Sequence, residues 1–110
     1  MHISTLKSSL ISLLLIAGSV HAGADDAKAK ALATQNACLG CHAVNARLVG
    51  PAYKEVAAKY AGMAADQLAA RIRAGSRGQW GPLEMPPQKQ LSEADALTLA
   101  SWVLAGSPEP

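Results

Sequence analysis

The chain has 110 residues and a mass of 11.3 kDa, room for one small domain. Half of its residues are hydrophobic, which excludes an intrinsically disordered chain. Ten Lys and Arg against eight Asp and Glu give a formal charge of +2, too little for a protein that grips nucleic-acid phosphates.

Met1 to Ala22 carries one fixed cation, Lys7, then an apolar run from Leu10 to Val20 and the small-residue exit Val20-His21-Ala22. A basic start, a short apolar stretch and small residues at its end describe a secretory signal peptide. The apolar run covers about 11 residues, against the roughly 20 that a membrane-spanning helix needs. Cleavage is expected after Ala22, with Ala24 as the second choice, leaving residues 23–110 as the exported domain. The cut removes Lys7, His2 and His21, so nine cations face eight carboxylates and His42 is the sole histidine left. A domain this small is marginal on aliphatic side chains alone, and some other buried apolar body is expected to complete its core.

Asp25-Asp26 ahead of Ala27-Lys28-Ala29-Lys30-Ala31-Leu32-Ala33 predicts an N-capped helix running to about Ala37. Cys38-Leu39-Gly40-Cys41-His42 follows directly. A structural zinc site needs four N or S ligands, and the exported chain offers three here. A thioredoxin-like pair sits in a βαβ setting, and no strand is predicted before Cys38. A disulfide would close too short a loop to restrict the unfolded chain much. Cys-x-x-Cys-His is the signal for covalent haem attachment. Two sulfurs one turn apart meet the two vinyl groups on one side of a porphyrin, and the next residue is aimed at the iron. Cys38 and Cys41 are thus the expected thioether anchors of one haem c, and His42 the first axial ligand. Its other ring nitrogen is expected to donate to a nearby oxygen, fixing the tautomer.

Val44 to Pro51 is predicted irregular, punctuated by Gly50-Pro51. Tyr53 to Ala61 predicts a second helix, stopped by Gly62, with Tyr53, Val56, Ala57 and Tyr60 on one face. A third helix is expected from Ala65-Asp66 to Gly75, with Leu68, Ile72 and Met63 facing inward. Gly75 to Leu91 holds three Gly and three Pro and shows neither a helix nor a strand period. Long irregular segments inside small domains are usually functional. This one carries Met85, flanked by Pro82, Pro86 and Pro87, which stiffen the backbone. With no second imidazole, a thioether is the expected sixth ligand: Met85 on its stiff loop, or Met63, whose setting between helices reads as core filler. His/Met ligation raises the reduction potential of the iron. Ser92-Glu93-Ala94-Asp95 predicts the capped start of a last helix through Leu104, closed by Gly106. No strand is predicted anywhere.

The chain closely resembles the short bacterial class I cytochromes c of the cytochrome c-551 type, over roughly Leu32 to Leu104. The resemblance rests on Cys38-Leu39-Gly40-Cys41-His42, Val49-Gly50-Pro51-Ala52-Tyr53-Lys54, Gly78-Gln79-Trp80-Gly81-Pro82, Met85-Pro86-Pro87 and Leu99-Ala100-Ser101-Trp102-Val103-Leu104. It implies an all-α fold of three to four short helices around one covalently bound haem. By the same resemblance the Pro51 carbonyl accepts the free N–H of His42, and Trp80 and Arg71 pair with a haem propionate. Arg73 and Arg77 are near enough in sequence to substitute for Arg71. Relatives often carry Asn after Met-Pro-Pro. Here Gln88 stands there, the residue placed to touch the cofactor or its sulfur ligand, and the stretch before Ser92 is longer.

The function expected is that of a soluble, monomeric periplasmic electron carrier, not an enzyme, with no membrane span after cleavage. Six-coordinate iron changes little between oxidation states and needs no bound substrate. The resemblance implies a respiratory chain, with a quinol-oxidising complex as donor and a nitrite reductase or terminal oxidase as acceptor. An uncharged patch around Cys38 and Cys41, rimmed by Arg47, is the expected docking face. The alternative is a haem-based sensor or peroxidase with an open iron site, and a third is a colourless thiol-redox or structural domain.

Overall fold

The structure, a computed structural model, describes residues 22–110; the expected signal segment, Met1 to Ala22, lies outside the described residues except for Ala22. Four helices carry the fold: α1 (Ala22–Gln35), α2 (Tyr53–Lys59), α3 (Ala65–Ala74) and α4 (Glu93–Leu104). A 3₁₀ turn, Cys38–Gly40, follows α1, and two short strands, β1 (Ser76–Gly78) and β2 (Gly81–Met85), lie between α3 and α4.

Two boundaries of the first helix differ from expectation. The helix is already formed at Ala22, so Asp25 lies within its first turn, where a carboxylate still meets the positive end of the helix dipole. It stops at Gln35 because Ala37 turns left-handed, with φ 57°, and throws the chain into the cysteine turn. Asn36 closes the helix end, its backbone and side-chain N–H groups both donating to the Leu32 carbonyl. α2 ends at Lys59, two residues before the predicted Ala61. α4 starts as its sequence predicts: the Ser92 hydroxyl accepts from the Asp95 amide at 3.0 Å.

The irregular segment after Gly75 contains the larger correction. Ser76 pairs with Met85 and Gly78 with Gly81 in an antiparallel hairpin with an irregular register. Its strands lack apolar alternation because almost all of their side chains are exposed. Backbone pairing and the Arg77–Glu84 ion pair at 2.9 Å hold it instead, and neither leaves a periodic signature.

Small side chains set how closely the helices approach. Ala29 and Ala33 on α1, and Ala96 and Ala100 on α4, are completely buried. Each pair is spaced four residues apart and so lies along one helix ridge. Leu32, Val56, Leu68, Leu91, Leu99 and Val103 fill in around them. Trp102 ties down the C-terminal tail, its indole N–H donating to the Pro108 carbonyl at 2.9 Å.

Enlarging Ala100 to Leu is expected to overpack this ridge and cost about 1–3 kcal/mol in denaturant unfolding of the holoprotein. Ala58→Leu, at an exposed position of α2, should stay within about 0.5 kcal/mol of wild type.

Candidate functional site

The turn after α1, the loop that follows it, α2, α3, the hairpin and α4 all contribute to one cavity of about 390 Å³. Val56, Leu68, Ile72, Leu99 and Val103 give it an apolar wall. Cys38, Cys41 and His42 enter from the turn after α1, and Met85 from the end of β2.

The turn itself is compact. Cys41 and His42 both donate backbone N–H bonds to the Cys38 carbonyl, at 3.2 and 2.9 Å. Both thiols are free, Cys38 half-buried and Cys41 exposed. Burial pushes the Cys38 thiol above its ordinary pKa, an effect only partly offset by a hydrogen bond with the Tyr53 hydroxyl. Tyr53 is likewise raised, chiefly by burial and then by Cys38.

Three contacts determine how the His42 ring sits. Its Nδ1–H donates to the Pro51 carbonyl at 2.8 Å, which leaves Nε2 as the free lone pair. The Tyr53 ring stacks on the imidazole, centroids 5.1 Å apart and planes 22° from parallel. Gly50 presses so close that a Cβ there would lie 2.5 Å from His42 Cε1. Tyr53 in turn meets Trp102 edge-on at 5.7 Å, so the imidazole is braced against the core. The Gly50 contact was not anticipated from the sequence; Gly-Pro reads as punctuation, and nothing in it announces a ring packed beside it.

A second group borders the cavity. Arg71, Tyr60 and Trp80 all line it. Arg71 Nη1 donates to the Tyr60 hydroxyl at 3.2 Å, and the Tyr60 and Trp80 rings meet edge-on at 6.0 Å. The two substitute arginines are engaged elsewhere. Arg73 bonds the Leu91 carbonyl and pairs with Glu93, and Arg77 pairs with Glu84. Neither lines the cavity.

The two methionines also separate. Met63 packs against the core cluster and takes no part in the cavity wall, whereas Met85 is half-buried within it. Gln88 lines the cavity too, but its amide N–H donates to the Pro86 carbonyl at 2.9 Å and its side-chain oxygen accepts from Gln90 at 2.8 Å. Gly75 permits this crowding: with φ 78°, a Cβ there would lie 2.5 Å from the Met85 carbonyl oxygen.

Residues 27–107 match the family model described as Cytochrome c. The chain belongs to the cytochrome c family. It is 48% identical over 95 residues to cytochrome c-552 of Nitrosomonas europaea, spanning 84% of this chain and 86% of that protein. It is 46% identical over 99 residues to cytochrome c-551 of Pseudomonas aeruginosa, spanning 88% and 94%. The fold superimposes on the crystal structure of wild-type Nitrosomonas europaea cytochrome c552 with a TM-score of 0.65 and 49% identity. That match covers 68% of this chain and 95% of that one.

This cytochrome is therefore an electron carrier rather than an enzyme, and its cofactor is covalently attached c-type haem. The residues fit that group. Two free thiols flank a turn, an imidazole presents an unengaged Nε2, and a thioether and a cation share one apolar cavity. Among the described residues no helix is long and apolar enough to cross a membrane.

Gly50→Ala should displace the imidazole, whereas Gly40→Ala meets nothing within 4 Å. The first variant is expected to lose about 1–3 kcal/mol in holoprotein unfolding and to change its visible spectrum; the second should match wild type in both.

Proposed function

We propose that Cys38 and Cys41 hold the haem by two thioether bonds and that His42 Nε2 and the Met85 sulfur are the two axial ligands of its iron. When bound, the haem supplies a one-electron redox centre. The chain's own residues then do the positioning. The Pro51 carbonyl accepts from His42 Nδ1–H, fixes the tautomer and raises the basicity of Nε2. Arg71 and Trp80 supply a guanidinium and an indole N–H at the cavity rim for a propionate. Gln88, bonded to the Pro86 carbonyl, braces the segment next to Met85.

The observation that carries this reading is the partition of the two thioethers, Met85 in the cavity wall and Met63 in the core. With iron ligated by two protein side chains, no site is left open for substrate, which suits a shuttle. In oxidised holoprotein the weak methionine-to-ferric-iron charge-transfer band should vanish in Met85→Ala and persist in Met63→Ala. Its survival in Met85→Ala would remove that residue from the iron.

We further propose export to the periplasm after cleavage near Ala22, where a monomer takes electrons from a quinol-oxidising complex and passes them to a nitrite reductase or terminal oxidase. The basic start and apolar run of the leader support export. Exposed Val49 and Leu83, which line the cavity, with exposed Leu48 next to Val49 in sequence and Leu39 within the cysteine turn, support a weak apolar encounter surface on this side of the protein. Arg47 on this rim pairs with Glu55 at 3.3 Å, with both side chains about half exposed, so the pair contributes at most about 1 kcal/mol to stability. Arg47→Gln should leave Glu55 unpaired and barely alter the melting temperature. It should change the rate of electron transfer to the partner and the ionic-strength dependence of that rate. Unchanged kinetics would take Arg47 out of the docking face.

A further inference from the structure

Lys59 has an unusual set of partners. Five of the other cations, Lys28, Lys30, Arg47, Arg73 and Arg77, pair with carboxylates. Lys59, at the end of α2, instead donates to the backbone carbonyl of Gln79 and lies 4.4 Å from the centroid of the Trp80 ring. Gln79 and Trp80 form the turn that joins β1 to β2. One ammonium group thus reaches the tip of the hairpin from a different element.

Besides Lys59, the tip is held by Trp80, which packs against the core cluster. The strands expose nearly all their side chains, and the Arg77–Glu84 pair joins the hairpin only to itself. The base is fixed by the close approach of Gly75 to Met85 and by the Gln88 amide on the Arg73 carbonyl at 3.0 Å. At the tip, Lys59 lies over the Trp80 ring, Tyr60 meets that ring edge-on, and Arg71 bonds the Tyr60 hydroxyl from α3. Lys59, Trp80, Tyr60 and Arg71 form a continuous chain of contacts from the end of α2 through the hairpin to α3.

We infer that Lys59 is a positioning residue that latches the β1–β2 hairpin closed and so keeps Met85 seated in the cavity. This rests on the reading of Met85 as an iron ligand. The carbonyl bond is charge-assisted, and the ammonium sits over the face of an indole, the ring that attracts cations best. Removing both contacts raises the fraction of time the hairpin spends displaced. An outside ligand that needs the iron site vacated then binds more tightly by the same factor.

The test titrates imidazole into oxidised holoprotein and follows the visible spectrum, with thermal unfolding measured alongside. Lys59→Met keeps the aliphatic stem but removes the cation and donor. It is expected to raise apparent imidazole affinity about tenfold, and Lys59→Arg should restore the wild-type value. Lys59→Leu, which also lacks the cation and the donor, serves if the methionine variant yields no holoprotein. Met85→Ala should raise affinity further, and adding Lys59→Met to it should bring no additional gain. Wild-type affinity in Lys59→Met, a gain in Lys59→Arg, or an added gain in the double variant would each overturn the latch. In all three cases the Met85 assignment would stand as long as Met85→Ala raises affinity. If Met85→Ala leaves affinity unchanged, that assignment falls and takes the latch with it.

Discussion

A domain this short has too little aliphatic volume to close around itself. Its completely buried residues Ala29, Ala33, Ala96 and Ala100 have side chains of one carbon. They let α1 and α4 approach closely but fill no interior. The larger residues, Val56, Leu68, Leu99 and Val103, instead turn part of their surface to the cavity. Seated in this cavity as proposed, a flat apolar cofactor would cover that surface and complete the core. Folding and cofactor retention are for this reason one problem, and anything that misplaces a cavity wall affects both.

The same constraint acts on His42, the proposed iron ligand. An imidazole can rotate, change tautomer or present either nitrogen. Pro51 removes the tautomer choice, Tyr53 blocks one face, and Gly50 leaves just enough room beside the ring. These three residues belong to one stretch of chain, held to the cysteine turn by the Gly50 amide on the Cys41 carbonyl at 2.7 Å. The placement of the imidazole comes from a loop, but a loop braced by Tyr53 against Trp102 and so against α4. Met85, by contrast, hangs from a hairpin tied down at a few points. The site therefore has a rigid side and a side whose order depends on latching contacts.

What could be read in the sequence follows the same division. Cys-x-x-Cys-His announces its chemistry because sulfur spacing and the adjacent imidazole are local, and the capped start of α4 is equally local. The helix faces of Tyr53, Val56 and Leu68 follow from periodicity, and they are buried. The hairpin escaped because its exposed strands carry no alternation, and the end of α1 escaped because a left-handed Ala37 has no compositional mark. Longer-range pairings were also out of reach. Nothing in the order of residues says that Arg47 meets Glu55 across the loop, or that Arg71 finds the Tyr60 hydroxyl. The alternatives among Arg71, Arg73 and Arg77 separate only once the fold shows which of them face the cavity.

The two methionines follow the same logic to its end. By composition they are interchangeable thioethers, and even their local settings, each near glycine, give only a preference. What separates them is backbone freedom. Met63 follows Gly62 between two helices whose faces are already committed to the core, so its side chain has core atoms to pack against. Met85 lies where a strand ends in two prolines that can donate no backbone hydrogen bond, and the close approach of Gly75 fixes where the chain leaves the sheet. A segment that cannot continue as helix or strand must take its order from side-chain contacts. A soft sulfur in the wall of an apolar cavity is one such contact, and an ammonium group at the far end of the hairpin is another.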